Sequence, residues 1–107
     1  MTAMNDYKAF VRSVLIYKDK DAIIYPTLGL SGESGEIANK IKKMLRDGVG
    51  ITYIRDDIAS ELGDALWYIA ALADDIGFGL EAIAQKNIEK LTSRKVRGVL
   101  GGNGDNR

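Results

Sequence analysis

Glu33 and Glu36 stand three residues apart, as do Glu61 and Asp64, and a glycine immediately precedes the second acid of each pair. On an α-helix, residues at i and i+3 project side by side, so two such helices laid together bring four carboxylates to one place. Two carboxylates about 6 Å apart repel by about 3 kcal/mol at an effective dielectric of about 20. A cluster of four therefore has to be spread into solvent, protonated, or neutralised by cations. The chain contains neither histidine nor cysteine, which removes imidazole and thiolate ligands and the usual general base. A cation bound here is held by oxygen. Mg²⁺ suits that donor set, because it is bound through a few carboxylates with water and phosphate oxygens, and Mn²⁺ can substitute.

One acidic pair on the border of an amphipathic helix is ordinarily a solvated face. Two pairs with the same spacing on equivalent borders weigh against that reading. The positions four residues after Glu61 and Asp64 are Ala65 and Tyr68, so neither acid has a basic helix partner there, whereas Lys40 can pair with Glu36. Asn87 falls among Leu80, Ile83, Ala84 and Leu91 in an apolar stripe, where an amide needs hydrogen-bond partners. With Lys90 and Arg94 on the adjacent line it makes a polar strip able to hold phosphate oxygens. The competing reading is a satisfied core amide beside two surface cations.

Helical periodicity positions these groups. A first helix is expected over about Thr2–Lys18, followed by the solvated charge run Lys18–Asp21. A second runs from Thr27, as N-cap, to about Arg46, and Asp47-Gly48-Val49-Gly50 breaks it. The third spans Thr52–Ile76 and the fourth Leu80–Lys95. The expected architecture is all-α: a four-helix bundle over residues 1–97, with a glycine-rich, irregular C-terminal tail over 98–107. In the second helix Leu30, Ser34, Ile37, Ile41, Met44 and Leu45 form the apolar stripe, bordered by Glu33, Glu36 and Lys40. In the third the stripe is Ile58, Leu62, Ala65, Ile69, Leu72 and Ile76, bordered by Glu61, Asp64 and Tyr68. Gly35 and Gly63 each cost about 1 kcal/mol relative to alanine in a helix, which a close approach of another backbone would offset. From Ala65 to Ala73 the third helix is apolar all round, and Trp67 points away from the stripe, so a partner subunit is expected to cover it.

Fifteen basic residues balance fifteen acidic ones, so there is no broad footprint for nucleic acid or a membrane surface. No segment reads as a membrane span or signal peptide, and a cytoplasmic location is expected.

Three stretches, Tyr25-Pro26-Thr27-Leu28-Gly29-Leu30-Ser31-Gly32-Glu33-Ser34-Gly35-Glu36, Glu61-Leu62-Gly63-Asp64-Ala65-Leu66-Trp67-Tyr68 and Asn87-Ile88-Glu89-Lys90-Leu91, together resemble the MazG-like nucleotide pyrophosphohydrolases. These are all-α enzymes that hydrolyse nucleoside triphosphates to the monophosphate and pyrophosphate with Mg²⁺. Their acidic pattern is EExxE followed by ExxD; Gly32 stands in place of the first glutamate. The resemblance implies that Glu33, Glu36, Glu61 and Asp64 bind the metal, that Glu33 or Glu36 assists the attacking water, and that Asn87 and Lys90 hold phosphate oxygens. It places Tyr68 in the nucleotide pocket and adds Lys40, Arg94 and Trp67 to the substrate-binding set. It also implies a homodimer or homotetramer and a role in clearing unwanted nucleotides, deoxynucleotides and non-canonical ones included. A ferritin-like di-iron bundle, which needs Glu-x-x-His motifs, ranks far behind because the chain has no histidine. The remaining alternative is a non-enzymatic helical dimer acting as adaptor or regulator.

Overall fold

The computed structural model describes residues 3–107. Four helices follow one another, α1 (Met4–Ser13), α2 (Ile24–Asp47), α3 (Ile51–Asp75) and α4 (Leu80–Arg97), with a single 3₁₀ turn at Asp19–Asp21, and there is no strand among the described residues. The fold is all-α.

Gly48 ends α2 in the left-handed conformation at φ 69°, its N–H returning to the Leu45 carbonyl, and Gly98 ends α4 in the same way at φ 74°. Only a residue without Cβ takes that conformation at little cost. Because residues 48–50 suffice to reverse the chain, α2 and α3 form an antiparallel hairpin, with Gly29 opposite Tyr68 and Lys40 opposite Glu61. α1 and α4 pack against α3. The core there is small: Val11, Ala70, Ala71, Ala73 and Leu80, with Tyr7, Tyr17, Trp67 and Ile83 packed around it. The alanines of α3 let α1 approach closely enough to bury Val11 almost completely.

Consecutive acids at the end of α3 tie down the N-terminal part. Asp74 takes a 2.8 Å hydrogen bond from Arg12 and lies 3.5 Å from the Lys8 ammonium. Asp75 Oδ2 accepts from the Tyr17 hydroxyl at 2.9 Å and from the Ile23 N–H at 2.8 Å. Tyr17 also stacks on Tyr25, with ring centroids 4.9 Å apart. Together these contacts hold the 14–23 segment across the C-terminal end of α3.

Several expected boundaries move. α1 stops at Ser13 rather than Lys18, with Val14 already off-helix at φ −120°; the expected start at Thr2 lies outside the described residues. α2 begins three residues before Thr27, which is not its N-cap. Thr27 Oγ1 instead donates to the Ile23 carbonyl at 2.6 Å, and Pro26 sits buried in the first turn, where no N–H is needed. Ile23 is the N-cap, held at φ 69°. The segment 98–107 is not simply irregular: it folds back on α4, where Arg94 and Arg97 donate to the carbonyls of Asp105 and Arg107.

The burial of α3 differs from the helical wheel. Trp67, expected to need a partner, packs against the core beneath α1. Leu62, Leu66, Ile69 and Ile76, three of them assigned to the inward stripe, are exposed, Leu62 by 55%. The short α1 covers one side of a helix that is apolar all round, and α2 covers another, leaving this face open. The chain exposes 7820 Å², against about 5,900 Å² for a compact monomer of its mass. Its radius of gyration is 16.7 Å, against about 13 Å for a compact domain of its length.

Candidate functional site

α2 and α3 cross so that Glu33 meets Glu61 and Asp64, each offering a carboxylate oxygen within 4.8 Å of the others. The antiparallel hairpin brings this about: Glu33 is opposite the turn of α3 that carries the second acidic pair. Glu36 lies one turn closer to the hairpin connection, is exposed, and is not among the three. Lys40 pairs across the hairpin with Glu61 at 3.9 Å rather than along its own helix with Glu36. At that distance, and partly exposed, the pair offsets little of the local negative charge.

Glu33 carries the imbalance. Its Oε2 is buried and has no hydrogen-bond partner. The carboxyl is pushed up to about 7, first because a proton placed on it can be shared with the facing Glu61 carboxylate, then by burial and by the charges of Glu61, Asp64 and Glu36. A buried, unpartnered oxygen facing two further carboxylates either keeps a proton or takes a cation. The donor set is all oxygen, and it fits a hard divalent ion.

A cavity of about 360 Å³ opens beside these acids, lined by Val14, Ile16, Glu33, Asp64, Trp67 and Tyr68. Its size is at the lower end of small-molecule sites. Trp67 and Tyr68 meet edge to face, with centroids 5.3 Å apart. The Tyr68 ring packs against α2 at Gly29, where a Cβ would run into it. Burial and the neighbouring charges of Tyr25, Glu33 and Asp64 push its hydroxyl pKa up, so it stays a neutral donor. Val14 and Ile16, absent from the residues expected from sequence, are brought here by the Asp74 and Asp75 contacts. Their one signal in the sequence is an apolar run just after α1, which by spacing alone reads as helix.

The remaining expected site residues lie elsewhere. Asn87 and Lys90 line a separate cavity of about 250 Å³ with Ile83 and Lys86, and none of the three clustered acids lines it. Asn87 is exposed rather than a buried amide, because the α4 face it occupies is left uncovered. Arg94 is only 4% exposed and is bonded to Asp105. Gly35 and Gly63 face open space, with nothing within 4 Å of where a Cβ would stand. Within this chain they mediate no close helix approach, since both lie on outer faces of the hairpin.

Residues 26–98 match the family model of the MazG nucleotide pyrophosphohydrolase domain. The chain is 53% identical over 89 residues to the "Gene 37 protein" of Mycobacterium phage L5, a match that covers 81% of this chain and 78% of that protein. No solved structure matches it.

Proposed function

Since the chain belongs to the MazG nucleotide pyrophosphohydrolase family, we propose that it hydrolyses nucleoside triphosphates, deoxynucleotides and non-canonical ones among them, to the monophosphate and pyrophosphate with Mg²⁺, so clearing unwanted nucleotides. The observation that carries this reading is the juxtaposition of three convergent carboxylates and an aromatic-walled cavity that shares Glu33 and Asp64 with them.

Glu33, Glu61 and Asp64 would hold the Mg²⁺, with Glu36, one turn along α2, as the fourth carboxylate the family pattern assigns. When bound, the metal supplies charge neutralisation for the triphosphate and lowers the pKa of the attacking water. The protein's part is to position and to exclude water. Trp67, Tyr68, Val14 and Ile16 take the nucleoside against an apolar wall, while the acids fix where the phosphates lie. Glu33 or Glu36 would take the proton of the attacking water, Glu33 through Oε2, a buried oxygen that no protein group occupies. Water adds at the α-phosphorus and the bond to the bridging oxygen breaks, releasing pyrophosphate. Asn87 and Lys90 line a cavity apart from the acids, and Arg94 is buried against Asp105. Their assignment to phosphate oxygens therefore requires a second subunit to bring α4 to the acids.

That requirement agrees with the open α3 face and the excess surface, and we include a homodimer or homotetramer in the reading. Purified protein screened with Mg²⁺ against canonical and modified ribo- and deoxynucleoside triphosphates is expected to release pyrophosphate from at least one. Release of orthophosphate alone, or hydrolysis undiminished in Glu61→Gln, contradicts the reading.

A further inference from the structure

Residues 99–107 are tied to α4 by arginines. The Arg107 guanidinium donates to the carbonyls of Val99, Leu100 and Gly104, and Arg97 donates to the main-chain carbonyl of Arg107 at 2.7 Å. This closes a loop that sets Asp105 over the side of α4. Arg94 Nη2 donates to the Asp105 carbonyl at 2.8 Å and to its Oδ1 at 3.4 Å, and Lys90 Nζ lies 3.6 Å from the same Oδ1. Lys90 is also a wall of the 250 Å³ cavity that Lys86 and Asn87 line. One ammonium group and one guanidinium thus converge on the Asp105 carboxylate at the side of α4, and Lys90 links that pair to the cavity.

We propose that Asp105 holds, in the resting chain, the place of a phosphate group on Lys90 and Arg94, so that the 98–107 segment and a phosphate-bearing ligand compete for that site. The ligand is the phosphate end of a nucleoside triphosphate, in which respect the proposal rests on the function proposed above.

The chemistry of the two states supports exchange. Arg94 is buried, and a buried guanidinium without partners is costly; the segment supplies a carbonyl and a carboxylate when no ligand is present. The Asp105 carboxylate is itself 86% exposed, and an exposed ion pair is worth only about 0–1 kcal/mol. Pyrophosphate brings more charge and more acceptor oxygens to the same two cations. The segment has four glycines and no fully buried side chain, so releasing it breaks few packed contacts.

The test is calorimetric titration of inorganic pyrophosphate, without Mg²⁺, into the full chain and into Asp105→Asn. The variant changes an exposed side chain, and its fold is checked by circular dichroism and melting. Competition predicts that Asp105→Asn binds pyrophosphate about two- to fivefold more tightly, the span of an exposed ion pair. Adding Lys90→Gln to that variant is expected to abolish the gain. Equal or weaker binding by Asp105→Asn, or a gain that survives Lys90→Gln, overturns the proposal. A lower melting temperature with unchanged affinity does so as well, since it marks a strap that only stabilises α4. The titration involves no turnover, so failure to hydrolyse any triphosphate would count against the proposed reaction and leave this result standing.

Discussion

Glu33 is the residue on which the acid cluster turns. Its carboxyl sits at about 7, against 4.5 for an ordinary glutamate, so the metal-free folded chain holds a proton that the unfolded chain releases at lower pH. The sign follows by linkage: between about pH 4.5 and 7 the folded state binds more protons, and stability falls as pH rises through that window. Glu33 is only partly buried, and solvent screening cuts the linkage well below its full value; in EDTA the protein is expected to lose on the order of 1 kcal/mol across the window, roughly 4–8 °C in melting temperature for a chain of this size. Glu33→Gln should flatten this dependence, and a melting profile equally steep in the variant would assign the titration to another group. Mg²⁺ should act at the same place. At a hundred times its dissociation constant a cation bound only by the folded state stabilises by about 2.7 kcal/mol. Glu61→Gln removes one of the three oxygen donors and is expected to lose most of that gain in a thermal-shift titration. An unaltered Mg²⁺ response would mean that the acids are a solvated face.

At the scale of elements, the geometry of the site depends on how closely α2 and α3 cross, and Gly29 sets that at the cavity. Gly29→Ala would force the Tyr68 ring off the α2 backbone, an overpacking that costs about 1–3 kcal/mol. Since the clash is with one ring, Gly29→Ala should be nearly harmless once Tyr68 is alanine. A double-mutant cycle by urea unfolding that found the two costs simply additive would contradict the contact. Asp75 fixes the other wall. Asp75→Ala leaves the part-buried Tyr17 hydroxyl and the exposed Ile23 N–H without their acceptor and is expected to cost about 1–2 kcal/mol, measurable by the same unfolding. The sequence made these elements legible unevenly. Four helices, their order and the glycine breaks followed from periodicity, and the two acidic pairs from their spacing. The end of α1 did not, because Val14, Leu15 and Ile16 continue a helical apolar pattern, whereas the segment they belong to is tied to Asp75, far away in the chain, through Tyr17 and Ile23. Nor was it legible that Glu33 and not Glu36 joins the second pair. That depends on the register of the hairpin, which a single-helix wheel does not contain.

For the whole molecule the governing quantity is apolar surface left uncovered. Leu62, Leu66, Ile69 and Ile76 recur along one face of α3, and Leu28, Leu45 and Val96 are each more than two-thirds exposed on α2 and α4. The surface in excess of a compact monomer, roughly 1,900 Å², exceeds the approximately 800 Å² that each partner buries in a standard interface. The buried core consists largely of alanines, so little of the chain's apolar area stabilises the isolated fold. If a second copy covers the α3 face, association and folding are coupled, and the melting temperature rises with protein concentration. Leu62→Gln/Leu66→Gln tests this without adding charge beside Glu61 and Asp64. On a monomer two partly exposed positions tolerate the change with small loss, usually within about 0.5 kcal/mol for each surface substitution. On a covered face the variant should be monomeric by light scattering at micromolar concentration and melt several degrees lower. It should also bind Mg²⁺ through the hairpin acids while losing triphosphate hydrolysis, because α4 would no longer be delivered to them. A wild-type chain that is monomeric, with a melting temperature independent of concentration, would instead require the phosphate end of the substrate to be held by this chain's hairpin alone.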